Sequence, residues 1–172
     1  MKNNIILIGM PAAGKSTVGV LLAKSLGYRF LDTDILIQEK TGRLLHEIIT
    51  AEGLDRFLEI ENEVLTGLNT KSTVIATGGS AVYSADAMTH LKEIGYVIYL
   101  KIGFKSLTER LGDYVNRGVV LRPNMTLYDL YRERTALYEK YADTTVDEER
   151  LAAGLAETTA HTIALAQKLL QA

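Results

Sequence analysis

Gly9-Met10-Pro11-Ala12-Ala13-Gly14-Lys15-Ser16-Thr17 is the stretch that decides the fold. It fits G-x-x-x-x-G-K-[ST], a loop whose backbone N–H groups cradle a phosphate. The two glycines permit that wrap. Lys15 is spaced to reach the β- and γ-phosphates, and the Ser16 hydroxyl to ligate Mg²⁺. A chance match is expected in roughly one chain in a hundred or fewer of this length, given the usual abundance of glycine. The flanks strengthen the reading. Ile5-Ile6-Leu7-Ile8 precedes the loop as an apolar run, and a helical pattern follows it. That order places the phosphate at a helix N-terminus. The nucleotide-binding set expected from the loop is Gly9, Ala12, Ala13, Gly14, Lys15, Ser16 and Thr17.

Working outward, residues 4–9, 28–32, 73–76, 95–102 and 144–146 read as short buried strands. Residues 14–26, 33–40, 44–50, 54–68, 85–93, 106–111, 126–141 and 151–170 read as helical. In the first helix Val18, Leu21, Leu22 and Leu26 fall at core spacing, and Gly27 stops it. Phe57, Ile60, Val64 and Leu68 share one side of a later helix. Short apolar strands alternating with helices predict an α/β protein of three layers, α/β/α, around a five-stranded parallel sheet. Ligands then bind at the carboxyl ends of the strands. The 172 residues suit a single domain. Within it, residues 33–68 are expected to form a substrate-binding segment. Residues 112–124 carry glycines, arginines and a proline without a clear period, and are expected to form a lid.

Composition excludes several classes of function. The formal net charge is −2, so no broad basic surface and no nucleic-acid partner are expected. There are no cysteines, which rules out disulfides, thiolate metal sites and cysteine nucleophiles. His46, His90 and His161 lie far apart and form no metal-binding pair. No apolar run approaches the ~18 residues of a membrane span. Met1-Lys2-Asn3-Asn4 leads straight into a strand, unlike a signal peptide. The expectation is a cytoplasmic monomer with a small-molecule substrate and no membrane partner.

Three further clusters sit where chemistry is expected. Asp32-Thr33-Asp34 ends the second strand on the edge that carries the phosphate loop. One carboxylate can sit beside a metal while the other takes a hydrogen bond from a substrate hydroxyl, which is most of what phosphoryl transfer asks of a protein. The plainer reading is a helix N-cap. Gly78-Gly79-Ser80 follows the third strand and permits close approach of backbone to a ligand, or simply turns the chain. Arg110, Arg117, Arg122 and Arg134 supply planar forks suited to phosphate and carboxylate, although any one of them can be an ordinary surface residue.

Taken together, these motifs resemble the shikimate kinase family, whose fold is of the P-loop, nucleoside-monophosphate-kinase-like type. The resemblance spans nearly the whole chain. It rests on the phosphate loop, Asp32-Thr33-Asp34, Thr77-Gly78-Gly79, Arg122-Pro123 and Arg134-Thr135-Ala136-Leu137-Tyr138, in the family's order. It implies ATP-dependent phosphorylation of the shikimate 3-hydroxyl, a step of aromatic amino-acid biosynthesis, with ATP and Mg²⁺ as cofactors. By the same resemblance Ser16 and Asp32 serve Mg²⁺, Asp34 binds and activates the hydroxyl, and Arg122 covers the phosphates. Arg134 holds the substrate carboxylate, and Arg110 packs on adenine. Lys15, Asp34 and Arg122 form the catalytic set. Asp34, Gly78, Gly79, Ser80 and Arg134 form the acceptor set.

The chain also departs from the family pattern. Leu58, in Phe57-Leu58-Glu59-Ile60-Glu61, stands where the family has an arginine that clamps the shikimate carboxylate. Arg56 lies two residues earlier, on a different helical face. Ser80 replaces the third glycine of a triple-glycine turn, and Ala136 replaces a proline. Leu58 and Ser80 touch the acceptor site and spare the nucleotide site. Two other readings therefore stand beside shikimate: a kinase for another hydroxylated metabolite, such as a sugar acid or polyol, and a nucleotide switch without turnover.

Overall fold

The central strand, β1 (Asn4–Ile8), is buried along its whole length. A strand covered on both faces carries apolar residues at successive positions rather than at alternate ones, as Ile5-Ile6-Leu7-Ile8 does. In the computed structural model, which describes residues 2–112, 119, 121–151 and 154–171, β1 pairs in parallel with β3 (Thr73–Ala76) and β4 (Gly95–Lys101). β2 (Arg29–Asp32) and β5 (Thr144–Asp147) complete a five-stranded parallel sheet of order β2-β3-β1-β4-β5.

The helices are α1 (Lys15–Leu26), α2 (Thr33–Thr41), α3 (Leu45–Thr66), α4 (Ala85–Ile94), α5 (Phe104–Leu111), α6 (Leu127–Tyr141), α7 (Glu148–Leu151) and α8 (Leu155–Gln171). Strand order and the right-handed crossover rule distribute them. The β1–α1–β2 connection runs one way along the sheet, and the connections through α3, α4 and α6 run the other way. α1 therefore lies on one face, packed against α8, and α3 and α4 pack together on the other. The main core surrounds the sheet, while Ile37, Ile48, Phe57, Ile60 and Val64 form a smaller core between α2 and α3.

The helices expected at 44–50 and 54–68 lie on either side of a kink at Gly53, whose φ of +86° is non-helical and suits glycine, within the span designated α3. Other local expectations need correction. Leu21 is exposed, and Gly19 and Ala23 take its place in the core. The reason is closeness: a Cβ on Gly19 would lie 2.6 Å from the Phe30 ring, so α1 sits tightly on the sheet. A 3-10 turn at Ala81–Tyr83 and the short α7 have no counterpart among the expected elements. Asn4, read only as a strand start, is a buried clamp. Its Nδ2 donates to the Thr70 and Ile94 carbonyls at 2.8 and 3.0 Å, and its Oδ1 accepts from the Thr73 N–H at 3.1 Å.

Of the segment expected as a lid, residues 113–118 and 120, including Arg117, lie outside the described residues. Among the described residues, no helix is long and apolar enough to cross a membrane.

Candidate active site

β1 ends at Gly9, whose φ is +147°. A Cβ there would lie 2.5 Å from the Leu100 carbonyl oxygen, so only glycine lets the chain turn off the sheet at this point. Ala12 holds φ +64°, a left-handed conformation that non-glycine residues adopt at a cost and that marks functional loops. Gly14, at φ +82°, caps α1 without a side chain. The first N–H groups of α1 are thereby left to an anion. Lys15 is buried and donates from Nζ to the Gly9 and Met10 carbonyls, both at 2.8 Å. Burial lowers its pKa to about 8, against the opposing pull of Asp34 and Asp32.

Asp32 serves the helix and the loop together. Its Oδ1 accepts from the Asp34 N–H at 3.0 Å, which caps α2, and its Oδ2 accepts from Ser16 Oγ at 2.6 Å. The N-cap reading and the metal-side reading are thus compatible. Ser16 and Asp32 offer hard oxygens beside the phosphate loop. These two oxygens are the kind of donor set that Mg²⁺ takes, one or two protein oxygens completed by phosphate and water.

Asp34 and Glu61 converge on Gly78. The Gly78 N–H donates to Thr33 Oγ1 at 3.2 Å, which ties the turn after β3 to the start of α2. A Cβ on Gly78 would lie 2.5 Å from Glu61 Oε1 and 2.8 Å from Asp34 Oδ1. The absent side chain is what admits both carboxyl groups. Burial, and then the neighbouring Asp32, raise the Asp34 pKa to about 6, while Lys15 opposes. Burial raises Glu61 to about 7, although Ser80 Oγ donates to its Oε2 at 2.6 Å. Glu61 Oε1 is buried with no hydrogen-bond partner.

Across the same turn stands Arg134 of α6, buried and only 6% exposed. Its Nη1 lies 3.0 Å from where a Gly79 Cβ would be. Tyr138 packs its ring against Tyr99 and donates from Oη to the Gly79 carbonyl at 2.6 Å, which fixes α6 to the turn. A cleft of about 310 Å³ results. Lys15, Ser16, Asp34, Gly78, Gly79, Ser80 and Arg134 line it, with Leu45, Phe57 and Val119 as apolar walls. A phosphate loop, a carboxylate and a buried cation thus share one opening.

The profile of the family described as "Shikimate kinase" matches residues 11–168. The chain belongs to the shikimate kinase family. It is 34% identical over 171 residues to shikimate kinase 2 of Yersinia enterocolitica, an alignment that covers 95% of this chain and 97% of the other. Shikimate kinase from Acinetobacter baumannii, solved in complex with shikimate, superposes with a TM-score of 0.80 at 35% identity, covering 99% of this chain and 92% of that one. The enzyme from Aquifex aeolicus superposes with a TM-score of 0.81 at 33% identity and covers 96% of each chain. Members of this family are ATP-dependent small-molecule kinases of aromatic amino-acid biosynthesis, and this chain is such a kinase. The reading as a switch without turnover falls with that membership.

Within the shikimate kinase frame, not every residue expected at the site lies in the cleft. Arg122 is exposed and rests on the Tyr83 ring, its Cζ 5.5 Å from the centroid. Arg110 is held away by Glu148 of α7 in a two-point ion pair, one contact of which measures 3.0 Å. Leu58 lines a neighbouring cavity of about 100 Å³ together with Glu61, Ser80 and Tyr83. Arg56 does not replace the missing family arginine, because it is exposed and paired with Glu52, Glu59 and Glu63. Tyr83 and Tyr138 were not expected in these roles. Tyr83 stands in no local motif, and Tyr138 ends the Arg134–Tyr138 motif without its role showing there, since each acts through a partner distant in sequence.

Proposed function

We propose that this enzyme transfers the γ-phosphoryl group of ATP to the 3-hydroxyl of shikimate. The observation that carries this reading is the placement of Asp34 and Arg134 on either side of the Gly78-Gly79 turn, in the cleft that the phosphate loop opens into. An acceptor with a hydroxyl at one end and a carboxylate at the other spans that pair. The loop N–H groups and Lys15 hold the β- and γ-phosphates, and Lys15 exchanges its two carbonyl partners for phosphate oxygens. Ser16 and Asp32 hold Mg²⁺, which supplies neutralisation of charge on the transferring group. Asp34 accepts the proton of the attacking hydroxyl. Arg134 orients the acceptor through its carboxylate. Arg122 covers the phosphates from residues 112–124, and residues 33–68 form the acceptor side of the cleft.

ADP release coupled to a reporter enzyme, with and without shikimate, tests the reading. Turnover that requires shikimate supports it. Asp34→Asn removes the proton acceptor without changing shape, so kcat should fall by about 10²- to 10⁴-fold while MgATP binding stays within a few fold. Intact chemistry with lost nucleotide binding would show the role of Asp34 to be wrong.

A second acceptor is favoured by one observation. Leu58 gives an apolar wall where the family pattern has a cation, and the cavity beside it is partly polar. A hydroxylated metabolite without a carboxylate at that position, such as a polyol, or a differently shaped sugar acid, fits this wall. A panel of such acceptors in the same assay separates the two readings.

A further inference from the structure

Arg134 is a buried cation, and no carboxylate lies within ion-pairing distance of it among the described residues. What holds it is Tyr83. The Arg134 guanidinium carbon lies 5.3 Å from the Tyr83 ring centroid, and Arg134 Nε donates to Tyr83 Oη at 3.3 Å. The same ring carries Arg122 at 5.5 Å. Tyr83 ends the 3-10 turn that begins directly after Gly78-Gly79-Ser80, so its backbone is tied to the acceptor side of the cleft. It also lines the small cavity that Leu58 leaves without a charge. Burial, and then the neighbouring Glu133 carboxylate, push the Tyr83 phenol above its ordinary value, so it is protonated at neutral pH. The ring therefore stays a neutral platform.

We propose that Tyr83 is a positioning residue that sets acceptor specificity, holding Arg134 on its aromatic ring as the anchor for the acceptor's carboxylate in place of a cation at position 58. The physical basis is simple. A guanidinium beside an aromatic face loses side-chain freedom and keeps its planar fork free for an anion. Arg134 needs a counter-charge, and a ligand carboxylate provides it.

The inference rests on the reading that the acceptor carries a carboxylate. It is tested on the whole enzyme by calorimetric binding of shikimate without nucleotide, and by steady-state kinetics. Tyr83→Leu should weaken shikimate binding and raise its KM by about 5- to 30-fold, with kcat and the KM for ATP within about twofold. Tyr83→Phe keeps the ring and loses only the hydroxyl, so it should lose about two- to fivefold, and it serves if the leucine variant does not fold. Binding of the methyl ester of shikimate, which has no anion to anchor, should be equally weak in all three proteins. Equal loss of shikimate and its methyl ester would make Tyr83 merely structural, and unchanged shikimate binding would overturn the proposal outright. If the unmodified enzyme neither binds nor phosphorylates shikimate, the acceptor assignment fails and the role of Tyr83 fails with it. If it does both and the variants match it, only the role of Tyr83 fails.

Discussion

At the scale of single residues, the site is governed by which groups are denied water. Asp34 is held near pKa 6 by burial and by Asp32. As proton acceptor it must be ionised, so kcat/KM should fall on the acid side with a midpoint near pH 6. An ordinary aspartate would place that limb near 4. A pH profile with no limb between 5 and 7 would remove Asp34 from that role. Leu58 is the second lever. It lies three residues before Glu61 on α3 and lines the same cavity. Leu58→Arg would give that carboxyl a cation and offer the acceptor a second guanidinium. With shikimate as acceptor, KM should drop by about 10- to 100-fold, the weight of one charge-assisted contact. With an acceptor lacking a carboxylate there, turnover should instead fall, because the new charge is buried against an apolar group. Steady-state kinetics of this one variant on both kinds of acceptor gives opposite signs.

At the scale of elements, the catalytic edge of the sheet depends on how its other edge is tied. Asn4 makes three hydrogen bonds that join the start of β1 to the turn before β3, to β3 itself and to the end of α4. Asn4→Ala leaves two carbonyls and one N–H inside the protein without partners. The expected cost is about 2–4 kcal/mol, read as a lower urea midpoint at unchanged slope. A change below about 0.5 kcal/mol would mean that water replaces the amide. The helices were more legible than this clamp. α1 follows from the 3.6-residue period and Gly27, and the ends of β3 from turn residues on both sides. The break between 44–50 and 54–68 was legible too, since Gly53 reads as a breaker and takes a non-helical φ of +86°. What was not legible is that Ile48 and Phe57, on either side of it, pack into one small core.

At the scale of the whole molecule, Glu61 couples the site to stability. Its folded pKa is raised to about 7 from an ordinary value of 4.5. Below pH 4.5 it is protonated whether the chain is folded or not, and it has no effect. Between 4.5 and 7 the unfolded chain ionises first, so stability falls as pH rises. Above 7 the penalty is complete, at up to about 3 kcal/mol. Glu61→Gln should remove that slope and stabilise the enzyme at pH 8. The slope left over between about 4 and 6 belongs to Asp34, whose pKa is raised in the same sense. Denaturant titrations of both proteins from pH 4 to 8 check this, and parallel curves would show that Glu61 is ionised in the folded state at no cost.

The division between sequence and tertiary structure follows the range of the interactions. The phosphate loop, the parallel sheet and Asp32-Thr33-Asp34 were legible because each depends on neighbours within a few residues. Glycines must supply φ values that other residues resist, buried strands must be apolar, and a carboxylate must cap the helix that follows. The acceptor end was not legible in that way. The convergence of Asp34, Glu61 and Ser80 on Gly78, the seat of Arg134 on Tyr83 and the pairing of Arg110 with Glu148 join residues far apart in the chain. A charge at such a distance leaves no period and no motif. Its partner, its burial and therefore its pKa exist only once the chain has closed around it.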